Sequence, residues 1–264
     1  MVLERVQASV RASLAGVKHV VVVLSGKGGV GKSLVSSSLA VGLSLLGKRA
    51  AVLDADIHGS SIPWMLGLEE ARVAVRGDKL VPPEVHGVAV MSLELLAEDR
   101  GAPLVWRGPL KAKAIIDMLT ATEWGERDYL VVDLPPGTGD EPLTIAQALG
   151  AKGGYAILVV APGLLVKHVV AKAERFAREL NLKLLGVVAN MAYFRCPACG
   201  AVHRPLGKLE VGESRVLAEI PLDPELADAV DRGELAGYVA SSTSEAARAL
   251  RGLAAAVAGA VEAG

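Results

Sequence analysis

Between an apolar run, His19-Val20-Val21-Val22-Val23-Leu24-Ser25, and a helix-like run that opens at Ser33, the chain reads Gly26-Lys27-Gly28-Gly29-Val30-Gly31-Lys32-Ser33. This is G-x-x-x-x-G-K-[ST] in the strand–loop–helix setting that the motif requires. The glycines let consecutive backbone N–H groups close around phosphate oxygens, and the following helix adds the positive end of its dipole. Lys32 sets a point charge against the β and γ oxygens, and the Ser33 hydroxyl is a ligand for Mg²⁺. A loop of this kind must be delivered by a buried strand and received by a helix, which narrows the architecture to α/β.

The rest of the chain repeats that alternation. Apolar runs at 19–25, 50–54, 129–134, 155–161 and 184–190, with a further candidate at 88–94, are separated by helix-length segments. Continuous apolar runs spaced in this way predict a mainly parallel, twisted sheet flanked by helices on both faces, the P-loop NTPase arrangement. The three Trp, four Tyr and two Phe are too few to build the core, which falls to Val, Leu, Ile and Ala, the palette of buried parallel strands. At 52% hydrophobic and 22% charged the chain folds rather than staying disordered.

No Pro/Ser/Gly linker and no internal repeat divides the 264 residues. The expectation is an N-terminal helical extension over 1–17, then one P-loop domain over 18–264 with an insertion at about 191–212 that breaks the alternation. The Ala-rich stretch 243–262, starting at Thr243, reads as a closing helix packed on the sheet. Lys plus Arg total 28 against 29 Asp plus Glu, so a net charge of −1 gives no pull towards nucleic acid or anionic lipid. The start lacks the pattern of a signal peptide, and no uncharged apolar run reaches the ~18 residues of a membrane span. A soluble cytoplasmic protein without nucleic-acid or membrane partners is expected.

The phosphate loop needs an acidic residue at the end of a neighbouring strand to hold the Mg²⁺ shell. Tyr129-Leu130-Val131-Val132-Asp133 ends on one, and Leu134-Pro135-Pro136-Gly137-Thr138-Gly139-Asp140 continues as a loop suited to sensing the γ-phosphate. Asp54 and Asp56 close another apolar strand, where a carboxylate can orient or deprotonate an attacking water. Hydrolysis of, or switching on, a bound nucleoside triphosphate follows.

Cys196-Pro197-Ala198-Cys199 puts two thiols on one tight turn, half of the four-cysteine set that an iron–sulfur cluster or a structural zinc takes. From the spacing alone an iron–sulfur cluster, zinc, and a redox pair or structural turn stay open. His203, four residues beyond Cys199, is a third ligand for zinc. A two-fold dimer in which each chain gives two cysteines completes a cluster site.

The early lysine in Lys27-Gly28-Gly29-Val30-Gly31-Lys32-Ser33 resembles the deviant Walker A loop of the MinD/ParA/nitrogenase iron protein class. The match runs on through Asp54-Ala55-Asp56-Ile57-His58-Gly59, Leu104-Val105-Trp106-Arg107-Gly108-Pro109, the 128–140 stretch and Cys196-Pro197-Ala198-Cys199-Gly200. Over about residues 18–235 the combination is similar to the Mrp/Nbp35/ApbC family of iron–sulfur cluster carrier ATPases.

The resemblance implies a homodimer that sandwiches ATP, with Lys27 reaching the partner's phosphates, Asp56 placing the attacking water, Asp133 in the Mg²⁺ shell and Asp140 in the second switch. It implies adenine contacts from Asn190 and from the loop of Pro221 and Asp223, and a bridging [4Fe–4S] cluster on Cys196 and Cys199 for delivery to apo iron–sulfur proteins. Hydrolysis is expected to be slow and coupled to cluster binding or transfer. Leu34 departs from the family pattern where a Thr usually follows the Mg²⁺ serine, removing a hydroxyl contact to the α-phosphate. Ser60 replaces a usual Pro and Ala161-Pro162-Gly163 a usual Thr-Pro-Gln. The alternatives are a MinD/ParA-like spatial organiser with a structural zinc, disfavoured by the neutral charge and the cysteine pair, and a small-molecule kinase on the same loop.

Overall fold

The computed structural model describes residues 2–57, 59–97, 108–150, 152–163 and 166–263. The chain enters through α1 (Val2–Ser13) and β1 (Val17–Ser25), and the phosphate loop leads into α2 (Lys32–Leu45). β2 (Ala50–Asp54) and a short α3 (Ile62–Met65) precede a small hairpin of β3 (Ala74–Arg76) and β4 (Lys79–Val81). β5 (Glu84–Val85) and β6 (Val88–Ser92) follow, then α4 (Gly108–Ala121), β7 (Arg127–Asp133) and α5 (Asp140–Gly150). After β8 (Gly154–Val160), α6 (Val166–Glu179) and β9 (Leu182–Ala189), the cysteine segment forms a hairpin of β10 (Phe194–Arg195) and β11 (Val202–His203). β12 (Val216–Glu219), α7 (Pro224–Asp231), α8 (Leu235–Ser241) and α9 (Glu245–Glu262) complete it.

The main sheet has the order β12-β9-β8-β1-β7-β2-β6-β5, with every neighbouring pair parallel except the antiparallel β5 and β6. Strands buried on both sides must be apolar at every position, and successive side chains point to opposite faces. Thus Val21 and Val23 pack under α2 and α7–α9, whereas Val20 and Val22 pack under α1, α4, α5 and α6. The expected sheet with helices on both faces is what the valine runs build. The run at 88–94 is a strand only to Ser92, because Ser92 caps a 3₁₀ turn over Leu93–Leu96.

The amphipathic start is a helix, and Val10 and Leu14 bury their side chains against the α4 and α5 side of the sheet. The closing helix begins at Glu245 and not at Thr243. Ser244 is the cap, its hydroxyl accepting from the Ala247 N–H at 3.1 Å, which satisfies one of the unpaired amides of the first turn. Although Ala-rich, α9 buries Leu250, Leu253, Val257 and Val261 completely or nearly so, each contributing about 1.5–3 kcal/mol. It lies so close to α2 that a Cβ on Gly42 would stand 2.6 Å from that of Ala254. No helix among the described residues is long and apolar enough to cross a membrane.

From β1 the chain reaches β2 on one side and later β8 on the other, so the strand order diverges at β1. The crevice beyond the carboxyl ends of the strands at such a point is where open α/β sheets bind ligands. The phosphate loop leaves β1 there.

Candidate functional site

The loop turns on two left-handed glycines, Gly29 at φ 75° and Gly31 at φ 80°. Gly31 precedes α2 and makes no side-chain cap, which leaves the amides of the first turn free for an anion. Asn190, one residue past β9, is buried and donates from Nδ2 to the Val30 carbonyl at 3.0 Å. A Cβ on Gly31 would stand 2.1 Å from that nitrogen. We expect Gly31→Ala to destabilise the protein by about 2 kcal/mol or more, from left-handed strain and the clash together, with weakened ATP binding. Urea unfolding and nucleotide titration check this, and adding Asn190→Ala should relieve the clash but not the strain.

Lys32 opens α2 and is only 6% exposed. Its ammonium sits 2.7 Å from Asp133 Oδ2 and 3.6 Å from Asp56 Oδ2. Asp133, at the end of β7, is fully buried and also accepts from Ser33 Oγ at 2.6 Å and from Ser36 Oγ at 2.6 Å. A buried carboxylate requires a counter-charge and hydrogen bonds, and here one turn of α2 supplies all three. Ser36 was not foreseen, although its place one turn beyond Lys32 puts it on the same helix face.

Asp54 on β2 is the register partner of Asp133. Burial first, and the neighbouring Asp133 charge second, push its carboxyl up to about 7. Against this, Ser60 donates to Asp54 Oδ2 at 2.7 Å and lies 2.8 Å from the Ser92 hydroxyl. The native state therefore keeps a proton on Asp54 that the unfolded chain releases at about pH 4. The Asp54 contribution to stability is fully present below that value, falls as pH rises towards 7, and carries the full penalty above it. We expect Asp54→Asn to gain on the parent across this window by at most about 1.4 kcal/mol per pH unit, measured by urea unfolding between pH 4.5 and 7.5.

The loop, Leu34, Asp56 and Pro136 line a cavity of about 410 Å³. Lys27 faces it, exposed, and makes no side-chain hydrogen bond or ion pair among the described residues. Asp140 opens α5, exposed and outside the cavity lining. Pro221 and Asp223 also lie outside that lining. Asp223 caps α7, accepting from the Glu225 and Leu226 amides at 2.9 and 3.4 Å, and accepts from the Tyr238 hydroxyl at 2.7 Å. His58 and Leu104–Arg107 are outside the described residues, as is the side chain of Pro109.

Cys196 and Cys199 are free thiols, half-buried and exposed respectively, on the β10–β11 turn. The turn closes through Cys196 N–H to Ala201 O at 2.9 Å and Gly200 N–H to Cys196 O at 2.8 Å. The amides of Cys199 and Ala198 hold the Cys196 thiol below the usual thiol range. Among the described residues no three His, Cys, Asp or Glu side chains gather to hold a metal ion, so His203 does not join the cysteines in a three-ligand site.

Residues 16–258 match the family profile described as ParA, NUBPL iron-transfer P-loop NTPase. An iron–sulfur cluster carrier protein of Aquifex aeolicus is 42% identical over 231 residues, 85% of this chain and 63% of that protein. The chain therefore spans less than two thirds of that relative. One of Saccharolobus solfataricus is 40% identical over 243 residues, covering 88% of this chain and 80% of the relative. Among solved structures, a nucleotide-binding protein of Archaeoglobus fulgidus in complex with ADP superposes with a TM-score of 0.78 at 38% identity, covering 88% of this chain and 93% of that one. The resemblance carried by the deviant loop and the 128–140 stretch is borne out, and the chain belongs to the ParA family of NUBPL-type iron-transfer P-loop NTPases.

Proposed function

We propose that this chain is an ATP-hydrolysing iron–sulfur cluster carrier that works as a homodimer. One observation carries the reading: the exposed cysteine turn rises from the end of β9, where Asn190 grips the phosphate loop, so thiols and nucleotide site share one strand end. The names of the relatives support the cargo, and the pair of thiols per chain supports its sharing between two chains.

In this reading the backbone amides from Gly28 to Ser33 cradle the phosphates, and Lys32 exchanges its bond to Asp133 for the β and γ oxygens. The Ser33 hydroxyl and Asp133 carboxylate, 2.6 Å apart, are hard oxygen donors suited to Mg²⁺, which when bound neutralises phosphate charge. Asp56, close to Lys32, orients the attacking water, while Lys27 is free to reach the phosphates of a second copy. Asp140 responds from the second switch, and Asn190 and the 221–223 loop take the adenine side. Leu34 in the cavity wall gives the α-phosphate no hydroxyl, so ATP is held chiefly by the loop amides and Lys32. Hydrolysis is slow and serves to change the dimer, and with it the hold of Cys196 and Cys199 on a [4Fe–4S] cargo bound for apoproteins.

Anaerobic reconstitution with iron and sulfide tests this. About four irons per dimer, a broad visible charge-transfer band and a dimeric mass are expected. Tightly bound zinc with no iron uptake would leave an ATPase whose cysteines are a structural clasp.

A further inference from the structure

Glu245 opens α9 and divides its carboxylate between two side chains of the cysteine hairpin. Oε2 accepts from the Tyr193 hydroxyl at 3.2 Å and Oε1 from Arg195 Nε at 2.8 Å. Arg195 then donates through Nη1 to the carbonyl of Gly200 at 3.0 Å, directly after Cys199. One carboxylate thus holds both the stem and the tip of the turn that carries the thiols.

The other end of this contact leads to the 221–223 loop. Ser244, the α9 cap, shares a 2.5 Å hydrogen bond with the Tyr238 hydroxyl, which donates to Asp223 Oδ2 at 2.7 Å. The hairpin stem meets the same loop through its backbone, Leu222 N–H donating to Tyr193 O at 2.7 Å. α9 is also seated on α2, the helix that begins at Lys32, by the close approach of Gly42 to Ala254. With no slack at that crossing, a shift of α2 carries the first turn of α9 with it.

We infer that Glu245 is a positioning residue that couples the nucleotide loops to the cysteine turn. Displacement of the 221–223 loop or of α2 on nucleotide binding moves Ser244 and Glu245, and Glu245 moves Arg195 and the turn holding Cys196 and Cys199. The Arg195–Glu245 pair is 49% and 33% exposed, and such pairs are worth ~1 kcal/mol or less, so the latch breaks and reforms without cost to the fold. The inference rests on the proposed reading for what the thiols hold and for placing the 221–223 loop beside the nucleotide.

Iodoacetamide alkylation of Cys196 and Cys199 in the full chain, free of iron and followed by mass spectrometry with and without Mg·ATP, tests it. In the parent, ATP is expected to change the rate about fivefold or more. In Glu245→Ala the rate should become independent of ATP, while the melting curve and ATP affinity stay within about twofold of the parent, as for loss of an exposed pair. Glu245→Gln should keep most of the response, since its amide oxygen accepts from Arg195 and its NH₂ donates to Tyr193. Tyr193→Phe, which removes one of the two contacts, should show a reduced response and serves if Glu245→Ala does not fold. An undiminished response in Glu245→Ala and Tyr193→Phe, or no response in the parent, overturns the coupling. Failure of the parent to take up iron overturns the carrier reading instead, and the alkylation result stands apart from it.

Discussion

Lys32→Ala is expected to lower ATP hydrolysis by about a hundredfold or more, the scale on which loss of one preorganised charge at a transferring phosphoryl group is felt. The lysine is pinned between Asp133 and Asp56 at 2.7 and 3.6 Å. That placement also makes it structural. Removing it strands the fully buried Asp133 with two hydroxyl donors and no counter-charge, beside Asp54. Breaking a buried pair from one side typically costs about 3–5 kcal/mol, so inactivity alone would not separate lost catalysis from lost folding. The double variant Lys32→Ala/Asp133→Asn isolates the folding share, because an amide in place of the carboxylate needs no cation, and Asp133→Asn alone is its control for the lost Mg²⁺ donor. It should recover most of the melting temperature and none of the phosphate release. Recovery of hydrolysis in the double variant would show that Lys32 acts only by neutralising Asp133.

The valines of β1 were legible because a parallel strand buried on two faces has no polar position to spare, so Val20 to Val23 announce it without a partner strand in view. The phosphate loop was legible because its chemistry demands glycine at set places and a lysine after them. What escaped was polar and long-range. Ser36 and Ser92 look like any helix or strand serine until folding brings one to Asp133 and the other to Ser60 and Asp54. The resemblance implies an adenine contact for Asn190, and its amide also holds the Val30 carbonyl, a contact 160 residues away that no local pattern encodes. Glu245 sits in an unremarkable first helical turn, and only the hairpin folding against α9 gives it Tyr193 and Arg195. The closing helix starts two residues later than the Thr243 start read from the sequence, with Ser244 as its cap.

If the proposed dimer-shared site holds the cluster, Cys196→Ala is expected to reduce the iron retained after reconstitution to about a tenth of the parent or less, with the visible band lost in proportion, because half of that four-thiolate set is removed at once. The turn itself survives the change. It is closed by the Cys196 amide to Ala201 and the Gly200 amide to the Cys196 carbonyl, and the backbone keeps both when the sulfur is gone. Arg195 still ties Gly200 to Glu245 from outside the turn. Nucleotide affinity should therefore match the parent, since the contacts from Asn190 to the phosphate loop lie on the strand side of the hairpin. Cys199→Ala should behave alike if the thiols act as a pair. Because Cys196 is the half-buried member, its thiolate favoured by two backbone amides, Cys199→Ala separates a pair from a single dominant ligand: iron retained in that variant alone would assign the cargo to Cys196 and a partner outside the turn. Loss of the folded state in either variant would make the sulfurs structural, and with that the dimer-shared cluster would lose its ligands.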